Sequence, residues 1–597
     1  MRTRFRAAIV FALLAATAEA GAQTPAAGAP PAQRLPCAVP AEESWSDQEK
    51  FVWRRACAGE VADFNLEPDY GGDIDPHQTP LPAKRILRGS FIRTILTQEK
   101  FANAIRQRGL RVNGARIADR LDLSNAELAT QLWFERCFFA QSVDMSWLRT
   151  SQPIAFNKSQ VPGSLIFYAA QMGADLHVKE SSVGLIDLNG AHVVRTLDLT
   201  GSRANEVAMP ALDVVANLDM ANGAYGKLDL RGARIGHALD LTHASATTEA
   251  VMRGLEVGTT LDMSDGGVFS NLDLRGARVG NTLNLEDSTV VGQTLMDGLQ
   301  VGVYLNLRHV TLPGARLLGA RTQQLALEGA TVTGEIDMLD VQVGTDLWMT
   351  SARFFGPLKL RYMQIGGQLD WSGSQFHASV DLTGSRIGGA LKLDDAKWFD
   401  GAVLIARFAK IGVIPRLANH WPAEMEIDGL TYEGLHTIGD DHVPWFEKVK
   451  RYSRQPYQQL ASVLQAQGDV ERATAVRFAE RDRDRSRPEQ VWYIAGWLGV
   501  LKWVIGYGYY PYYSLVWIVV FVVLGALVLR WSGEGRRNNM PIGLSYSFDM
   551  LLPVIRLRDR HYQMDLHGWA RYYFYAHKIM GWVLASFLVA GLSGLTK

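Results

Sequence analysis

Apolar residues recur as apolar-x-apolar triplets through the middle of the chain, beginning with Leu121-Asp122-Leu123. Between Leu121 and Val403 there are about 27 triplets, a period near 11 residues, and such a short fixed period is typical of a solenoid. Within each triplet the apolar positions alternate, and glycine recurs in the units, so a helix is excluded here. The pattern predicts a mainly β fold with a repeat β-solenoid over residues 109–412.

The unit from Leu228 to Ala238 shows how such a repeat would fold. Leu228 and Leu230 share one side of a short strand, and Ala233 and Ile235 form a second inward pair. Gly232 and Gly236 are expected where the chain turns between pairs. Two units would therefore close a four-sided coil of about 22 residues, and a three-sided coil is the alternative.

Two steps carry a resemblance to a known family, Gly232-Ala233-Arg234-Ile235 and Gly384-Ser385-Arg386-Ile387. They resemble the pentapeptide-repeat β-solenoid proteins, over about half of the chain. That family steps in fives, whereas this chain varies between about 10 and 12 residues per pair of steps. The resemblance implies stacked β-coils, and for some members of that family an acidic surface that imitates nucleic acid.

Aspartate occupies the middle of many triplets, where its side chain would point outward. The predicted outward row consists of Asp122, Asp198, Asp229, Asp240, Asp262, Asp273, Asp337 and Asp381. This row could bind cations or imitate nucleic acid, or it could be a solvated face whose carboxylates accept turn amides and pair with arginines. The chain has 61 Lys+Arg and 61 Asp+Glu, and this balance favours the solvated face. No nucleic-acid partner is predicted.

The N-terminal segment resembles an export signal. Three positive charges precede an apolar run and small residues, which predicts a signal peptide over residues 1–22. Residues 23–108 are predicted to form a helical region that caps the solenoid, with a capping box at Ser46 and Glu49. Export favours a disulfide between Cys37 and Cys57, whereas Cys137 is expected in the solenoid core.

Residues 413–490 are predicted to form a helical connector. Two helical patterns, Gln455 to Gln467 and Val470 to about Arg485, flank a Gly468-Asp469 break. The pair resembles a single tetratricopeptide-style hairpin. One hairpin cannot form an array, so a rigid connector is expected.

Residues 491–597 are predicted to form a membrane domain. The pattern indicates an interfacial helix at 491–506, for which a third span is the alternative. It also indicates transmembrane helices at 513–530 and 578–595, and a cytoplasmic loop at 531–577. Eight positive residues from Arg530 to Lys578, within this loop and at the adjoining ends of the two spans, place the loop inside. The chain is thus expected to be multi-pass in the inner membrane, with the solenoid in the periplasm and the lipid bilayer as a partner.

The membrane domain resembles the two-helix ion-channel tail of some pentapeptide-repeat proteins, through Gly506–Pro511 and Ser545–Pro553. The loop residues singled out are Ser545, Asp549, Pro553 and Arg556, in a stretch that could re-enter the bilayer. No Thr-Val-Gly-Tyr-Gly filter lies between the spans, and the loop is predicted to face the cytoplasm. Both features count against conduction.

The sequence carries no common catalytic motif, so no enzyme activity and no cofactor are predicted. Candidate metal ligands occur in two turn-like clusters, where solvated or capping roles are the more common ones. These candidates are Asp73, Asp75 and His77 in one cluster and His436, Asp440 and His442 in the other.

The features together favour a non-enzymatic envelope protein of bacteria that binds or scaffolds another envelope protein or a glycan. A channel-like or sensory two-helix protein is the first alternative, and a carbohydrate-active β-helix is the second. Exposed coil ends make a homo-oligomer possible.

Overall fold

The computed structural model describes residues 39–76, 81–105, 107–414, 420–435, 443–510, 512–540, 542–552 and 554–592. Its centre is a parallel β-solenoid of about 15 coils, as the triplet period predicts. Most successive coils pair in parallel at a 20- to 22-residue offset, as in Leu261↔Leu283, Leu283↔Leu305 and Leu305↔Leu325. The predicted signal peptide lies outside the described residues.

Each coil has four sides, which we number faces 1 to 4 in chain order. Face 1 consists of Ala62–Asp63, Leu110–Asn113, Leu132–Glu135, Ile154–Asn157, Leu176–His177, Leu197–Asp198, Leu218–Asp219, Leu239–Asp240, Thr260–Asp262, Thr282–Asn284, Tyr304–Asn306, Gln324–Ala326, Leu347–Trp348 and Leu369–Asp370. Face 2 consists of Ile86–Leu87, Arg116–Ile117, Phe138–Phe139, Gln160–Ile166, Ser182–Asp187, Arg203–Ala208, Ala224–Asp229, Ser245–Val251, Val268–Phe269, Thr289–Val290, Thr311–Leu312, Thr331–Val332, Arg353–Phe354, Gln375–Phe376 and Lys397–Trp398.

Five long strands of face 2, from Gln160–Ile166 to Ser245–Val251, continue around the corner into face 3. The other strands of face 3 are Leu121–Asp122, Val143–Asp144, Leu272–Asp273, Thr294–Leu295, Ala315–Arg316, Ile336–Asp337, Leu358–Lys359, Val380–Asp381, Val403–Ile405 and Glu424–Glu426. Face 4 consists of Glu127–Leu128, Arg149–Thr150, Gln171–Met172, His192–Val193, Asp213–Val214, Arg234–Ile235, Glu256–Val257, Arg278–Val279, Gln300–Val301, Arg321–Thr322, Gln342–Val343, Gln364–Ile365, Arg386–Lys392, Lys410–Ile414 and Thr431–Leu435. Arg386–Lys392 also turns the corner into face 1.

The core is built from stacked inward aliphatics. Leu239, Leu261 and Leu283 lie directly above one another on face 1 and are fully buried. Two corners of every coil carry a residue with positive φ, as at Gly232 (φ 63°) and Asn222 (φ 58°). Asparagine and glycine tolerate this left-handed backbone, which allows the chain to turn within one or two residues.

Three helices pack at the first coils: α1 (Asp47–Cys57), α2 (Gly89–Thr97) and α3 (Glu99–Ala104). The capping box of α1 is confirmed, because Ser46 Oγ accepts from Glu49 N and the Glu49 carboxylate accepts from Ser46 N. Short 3₁₀ turns lie at Pro68–Tyr70 and Ala83–Arg85. The side chains of these helices join the solenoid core as one apolar cluster.

The solenoid ends later than residue 412. Glu424–Glu426 and Thr431–Leu435 add one more coil, which pairs with Val403–Ile405 and Lys410–Ile414. Residues 415–419 interrupt the triplet pattern before this coil, so the sequence pattern ends too early. A 3₁₀ helix, Val443–Lys448, then leads to a hairpin of α4 (Gln455–Ala466) and α5 (Val470–Arg485), at the predicted positions.

Glutamine side chains of α4 cover the backbone of the last coil. Gln455 Nε2 donates to Leu430 O (2.9 Å) and its Oε1 accepts from Gly429 N (2.9 Å). Gln459 and Gln467 donate to Tyr432 O (2.8 Å) and Leu435 O (3.1 Å). An open sheet edge exposes unpaired backbone groups, and these amides satisfy several of them.

The C-terminal helices are α6 (Trp492–Ile505), α7 (Tyr513–Trp531), α8 (Glu534–Arg537), α9 (Leu544–Leu551), α10 (Asp559–Tyr562) and α11 (Trp569–Leu592), with a 3₁₀ turn at Gly506–Gly508. Helix α11 begins well before residue 578, so the segment between the long helices is shorter than the predicted 531–577 and contains three short helices. By length and composition one helix among the described residues, Tyr513–Trp531, could cross a membrane. A second span is not supported.

Candidate binding groove

A groove of about 1330 Å³ runs along face 4. It crosses nine successive strands, from Asp213–Val214 to Arg386–Lys392. With an interstrand spacing of about 4.8 Å, these strands span roughly 38 Å. The groove is therefore long and narrow, and it follows the solenoid axis.

One side of the groove is formed by the outward residue of each strand, which we call the rim row. In order it consists of Asp213, Arg234, Glu256, Arg278, Gln300, Arg321, Gln342, Gln364 and Arg386. Glu256 accepts hydrogen bonds from Arg234 Nε (3.3 Å) and Arg278 Nη1 (3.2 Å). Asp213 contacts His192 Nδ1 at 2.8 Å.

From Gln300 to Arg386 the rim row has no carboxylate. Arg321 and Arg386 are both exposed, and the described residues offer them no ion pair. Three glutamines, Gln300, Gln342 and Gln364, fill the other positions. This half of the groove therefore presents positive charge and amide groups that are not neutralised by the protein itself.

The floor of the groove is a column of glycines, Gly236, Gly258, Gly280, Gly302, Gly344, Gly366 and Gly388. A Cβ at Gly280 would overlap the carbonyl oxygen of Gly258, and one at Gly366 would overlap that of Gly344. A side chain in place of Gly280 or Gly366 would therefore require the strands to shift. Gly236 lies in the bend between Arg234–Ile235 and Leu239–Asp240, as its spacing predicts, and it is also part of the floor.

Gln323 replaces glycine at one position of the floor. Its side-chain amide lies over Gly344, close enough to overlap any added Cβ there. The exposed residues that follow the glycines, among them His237, Thr259, Asn281 and Thr345, lie at the corner beyond the floor. Gln323 therefore divides the bare floor into two stretches with a polar group between them.

The eight predicted aspartates do not form one row. Asp198, Asp240 and Asp262 lie on face 1, whereas Asp122, Asp229, Asp273, Asp337 and Asp381 lie on face 3. Each of the eight accepts a hydrogen bond from the backbone amide two residues later. Their shared role in the structure is to hold the corner that follows the strand.

Ion pairs add to this role on face 3. Asp273 accepts from Arg275 Nη2 (2.8 Å) and Arg253 Nε (2.5 Å). Burial raises the pKa of Asp273, but these bonds outweigh it and lower the pKa to about 2. Asp229 is held in the same way by Arg231 (2.6 Å).

On face 1, Asp219 completes an unbroken stack of four carboxylates, Asp198, Asp219, Asp240 and Asp262. Asp219 is not among the eight predicted aspartates, although it occupies the same triplet position. Asn284 and Asn306 continue the stack with neutral side chains, and Asn284 Oδ1 accepts from Asn306 Nδ2 at 2.8 Å.

The candidate metal clusters are only partly described. His77, His436, Asp440 and His442 lie outside the described residues. Asp73 pairs with Arg136 Nη1 (2.8 Å), and Asp75 has a partner as well. Glu286, Asp287 and His309 offer ligand atoms within 4.8 Å of one another at an exposed corner, where the site is empty.

The cysteines divide into two kinds. Cys57 is disulfide-bonded, and its predicted partner Cys37 lies outside the described residues. Cys137 is a free thiol within the apolar core, as predicted. Burial raises its pKa to about 12.

The predicted membrane-loop residues have distinct positions. Asp549 is fully buried and accepts from Leu557 N (3.0 Å), Arg558 N (3.2 Å) and His561 Nδ1 (2.8 Å). Ser545 is exposed on α9, and the Arg556 guanidinium lies 5.0 Å from the centre of the Tyr562 ring. Pro553 lies outside the described residues. Asp549 therefore fixes the segment that follows α9.

Helix α9 packs between α7 and α11. The Tyr546 and Phe574 rings are 5.2 Å apart, and Ser547 O accepts from His577 Nε2 at 3.0 Å. A side chain at Gly525 of α7 would overlap Ser547. This short helix is thus enclosed by the two long ones.

No family model, no curated protein and no solved structure matches the chain. The structure shows the solenoid directly. No family match supports the resemblance to pentapeptide-repeat proteins.

Proposed function

We propose that this chain is a membrane-anchored solenoid that binds an extended polymer along the face 4 groove and holds it without cleaving it. The observation that carries the proposal is the groove itself, which continues across nine successive strands. A compact ligand would use only a small part of such a surface. An extended chain would contact every coil that the groove crosses.

The absence of cleavage is inferred from how the carboxylates in the groove are used. Glycan hydrolysis needs two carboxyl groups that flank the bond and are free to exchange protons. Glu256 is tied to Arg234 and Arg278, and Asp213 is tied to His192. The other residues of the rim row have no carboxyl group.

Anchoring is supported by α7 and by the aromatic surface before it. Trp492, Trp497 and Trp503 of α6 are exposed, as expected for a helix that lies in the membrane interface. In the proposed arrangement the solenoid lies outside the cytoplasm, and helices α1–α3 cover its first edge. The segment after α7 lies in the cytoplasm.

Topology can be measured by labelling intact cells with an impermeant maleimide. In a Cys137→Ala background, Thr247→Cys should be labelled and Asn538→Cys should not. The reverse pattern would place the solenoid in the cytoplasm and overturn the anchoring proposal.

The groove can be tested in cells with a photo-crosslinking amino acid. Placed at Gln342 on the rim row, it should form adducts with a cell-envelope polymer. Placed at Arg353, an exposed position on face 2, it should not. Equal adducts at both positions, or none at Gln342, would contradict groove binding.

The enclosed position of α9 favours a second candidate, a channel-like role for the C-terminal helices. A short helix between two long ones is the arrangement that a re-entrant segment would adopt. Ion flux into liposomes containing the purified chain tests this role. Flux that is lost on Asp549→Asn would support it, and no flux would leave anchoring as the role of these helices.

A further inference from the structure

We infer that the polymer bound in the groove is a carboxylated polysaccharide, a chain of sugars in which some units carry an acidic group. This inference rests on the proposed function, since it names the ligand class of the same groove. The residues that carry it lie between Gln300 and Arg386 on the rim row.

The first argument is the charge of this stretch. Arg321 and Arg386 are exposed cations that the protein leaves unpaired within its described residues. A guanidinium presents a planar fork of donors that fits a carboxylate in a bidentate geometry. An anionic ligand therefore gains two partners without displacing any acidic side chain of the protein.

The second argument is the spacing of the charges. Arg321 and Arg386 are three strands apart, or roughly 14 Å. A nucleic-acid strand carries a phosphate about every 3.4 Å in a duplex, so most phosphates would lie opposite neutral residues. A polymer with wider intervals between its anionic groups matches the arginines better.

The third argument is the chemistry between the arginines. Each glutamine amide offers two donors and one acceptor oxygen, which suits hydroxyl groups that both donate and accept. Gln342 and Gln364 lie between the two arginines, and the Gln323 amide lies on the floor beside them. A hydroxyl-rich chain can therefore bind throughout this stretch, between as well as at the charged positions.

The fourth argument is the shape beside the rim row. Tyr362 and Phe408 are 57% and 68% exposed at the corner that precedes face 4, Tyr362 next to Gln364 and Phe408 one coil beyond Arg386. They lie flat enough against the next coil that side chains at Gly384 and Gly429 would overlap them. Aromatic faces of this kind present flat apolar surfaces next to the polar row.

The test uses the full-length chain in detergent and, as the carboxylated probe, polygalacturonate with most of its carboxyl groups methyl-esterified, so that the free carboxylates lie at wide intervals. Hydroxyethylcellulose is the neutral probe. Calorimetry should detect binding of polygalacturonate that weakens with added salt, and no binding of the neutral chain. Arg321→Gln with Arg386→Gln should weaken binding at least about tenfold. Gln364→Glu, which adds a negative charge without changing shape, should also weaken it.

The matched control is Arg203→Gln with Arg353→Gln, two exposed arginines on face 2, which should bind polygalacturonate like the unchanged chain. Circular dichroism confirms that every variant keeps the same melting temperature. Equal binding of the neutral polymer, equal loss in the control, or tighter binding of an oligothymidylate would overturn the inference. Adducts at Gln342 in cells without polygalacturonate binding would reject the ligand class and leave the proposed function standing.

Discussion

Asp198 and Asp219 are paired in register on adjacent coils of face 1, and their pKa values shift in opposite directions. Burial raises the pKa of both. For Asp198, hydrogen bonds from His177, Lys179 and Thr200 outweigh burial and lower the pKa well below its usual range. Asp219 instead has the carboxylates of Asp198 and Asp240 on either side, which raise its pKa further. Repulsion within the stack is therefore concentrated at one residue.

Replacing Asp219 by asparagine should stabilise the protein at neutral pH. Like charges directly opposite on neighbouring strands cost up to about 1 kcal/mol, so we expect the free energy of unfolding to rise by about 0.5 kcal/mol. An acid with a raised pKa in the folded state binds its proton more tightly when folded, so the original protein becomes more stable as the pH falls through that pKa. The increase in the free energy of unfolding caused by Asp219→Asn should therefore be smaller in mildly acidic buffer.

Thermal unfolding at neutral and acidic pH measures both effects. Asp240→Asn is the control, because Asp240 accepts from Thr242 N (2.9 Å) and Thr242 Oγ1 (2.7 Å) and its replacement weakens these bonds. A destabilised Asp219→Asn variant at neutral pH would contradict the analysis.

The glycine floor predicts a sharp positional effect. Gly280→Ala should destabilise the solenoid by about 1–3 kcal/mol, because its Cβ would overlap Gly258 O and the strands would have to shift. Gly434→Ala in the last strand is the control, since its Cβ would meet only Val413 Cγ2 at 3.6 Å. The measurement compares the melting temperatures of the two variants. An equal decrease in both would mean that the glycine column is not packed more closely than the last strand.

The covering of the last coil by α4 can be tested at Gln455. Gln455→Leu should lower the free energy of unfolding by about 1–2 kcal/mol, because it leaves the Gly429 amide and the Leu430 carbonyl without their partner. Gln458→Leu, on the exposed side of α4, should have little effect. Urea unfolding measures both variants. Similar stabilities would show that water replaces the glutamine amide.

The thiols predict a simple labelling pattern. In the native protein Cys137 should not react with iodoacetamide at neutral pH, because burial raises its pKa to about 12 and shields the sulfur. After unfolding without reductant one thiol per chain should react, and after reduction three, if Cys37 is the partner of Cys57. Mass spectrometry counts the labels, and three labels before reduction would contradict the predicted pair.

The sequence predicted the coil because its signal is local. One coil contains two units, so inward pairs such as Leu228/Leu230 and Ala233/Ile235 return to the same face once in every two units. Both pairs lie in the core of the four-sided coil. The α4–α5 hairpin and the capping box at Ser46 were likewise predicted from short-range patterns, and the structure contains both.

The groove could not be predicted in the same way, because it depends on which residues stack over many coils. Coil length varies, as between Tyr304 and its partner Gln324, so a period of about 11 residues does not assign a residue to a face. Gly232 and Gly236 look alike in sequence, yet one makes a left-handed turn and the other forms the floor. The aspartates, which look like one row, separate onto two faces for the same reason.

The constant register of the coils gives the groove a property that single binding pockets lack. Each of the nine coils along the groove contributes one rim residue and lengthens the groove by one strand spacing, so the number of these coils sets the length of polymer that the proposed site would hold. The proposed site would therefore hold a polymer segment whose length is a whole number of strand spacings. Deletion of one coil from the groove would shorten this segment by one strand spacing. The residues that line the rest of the groove would stay unchanged.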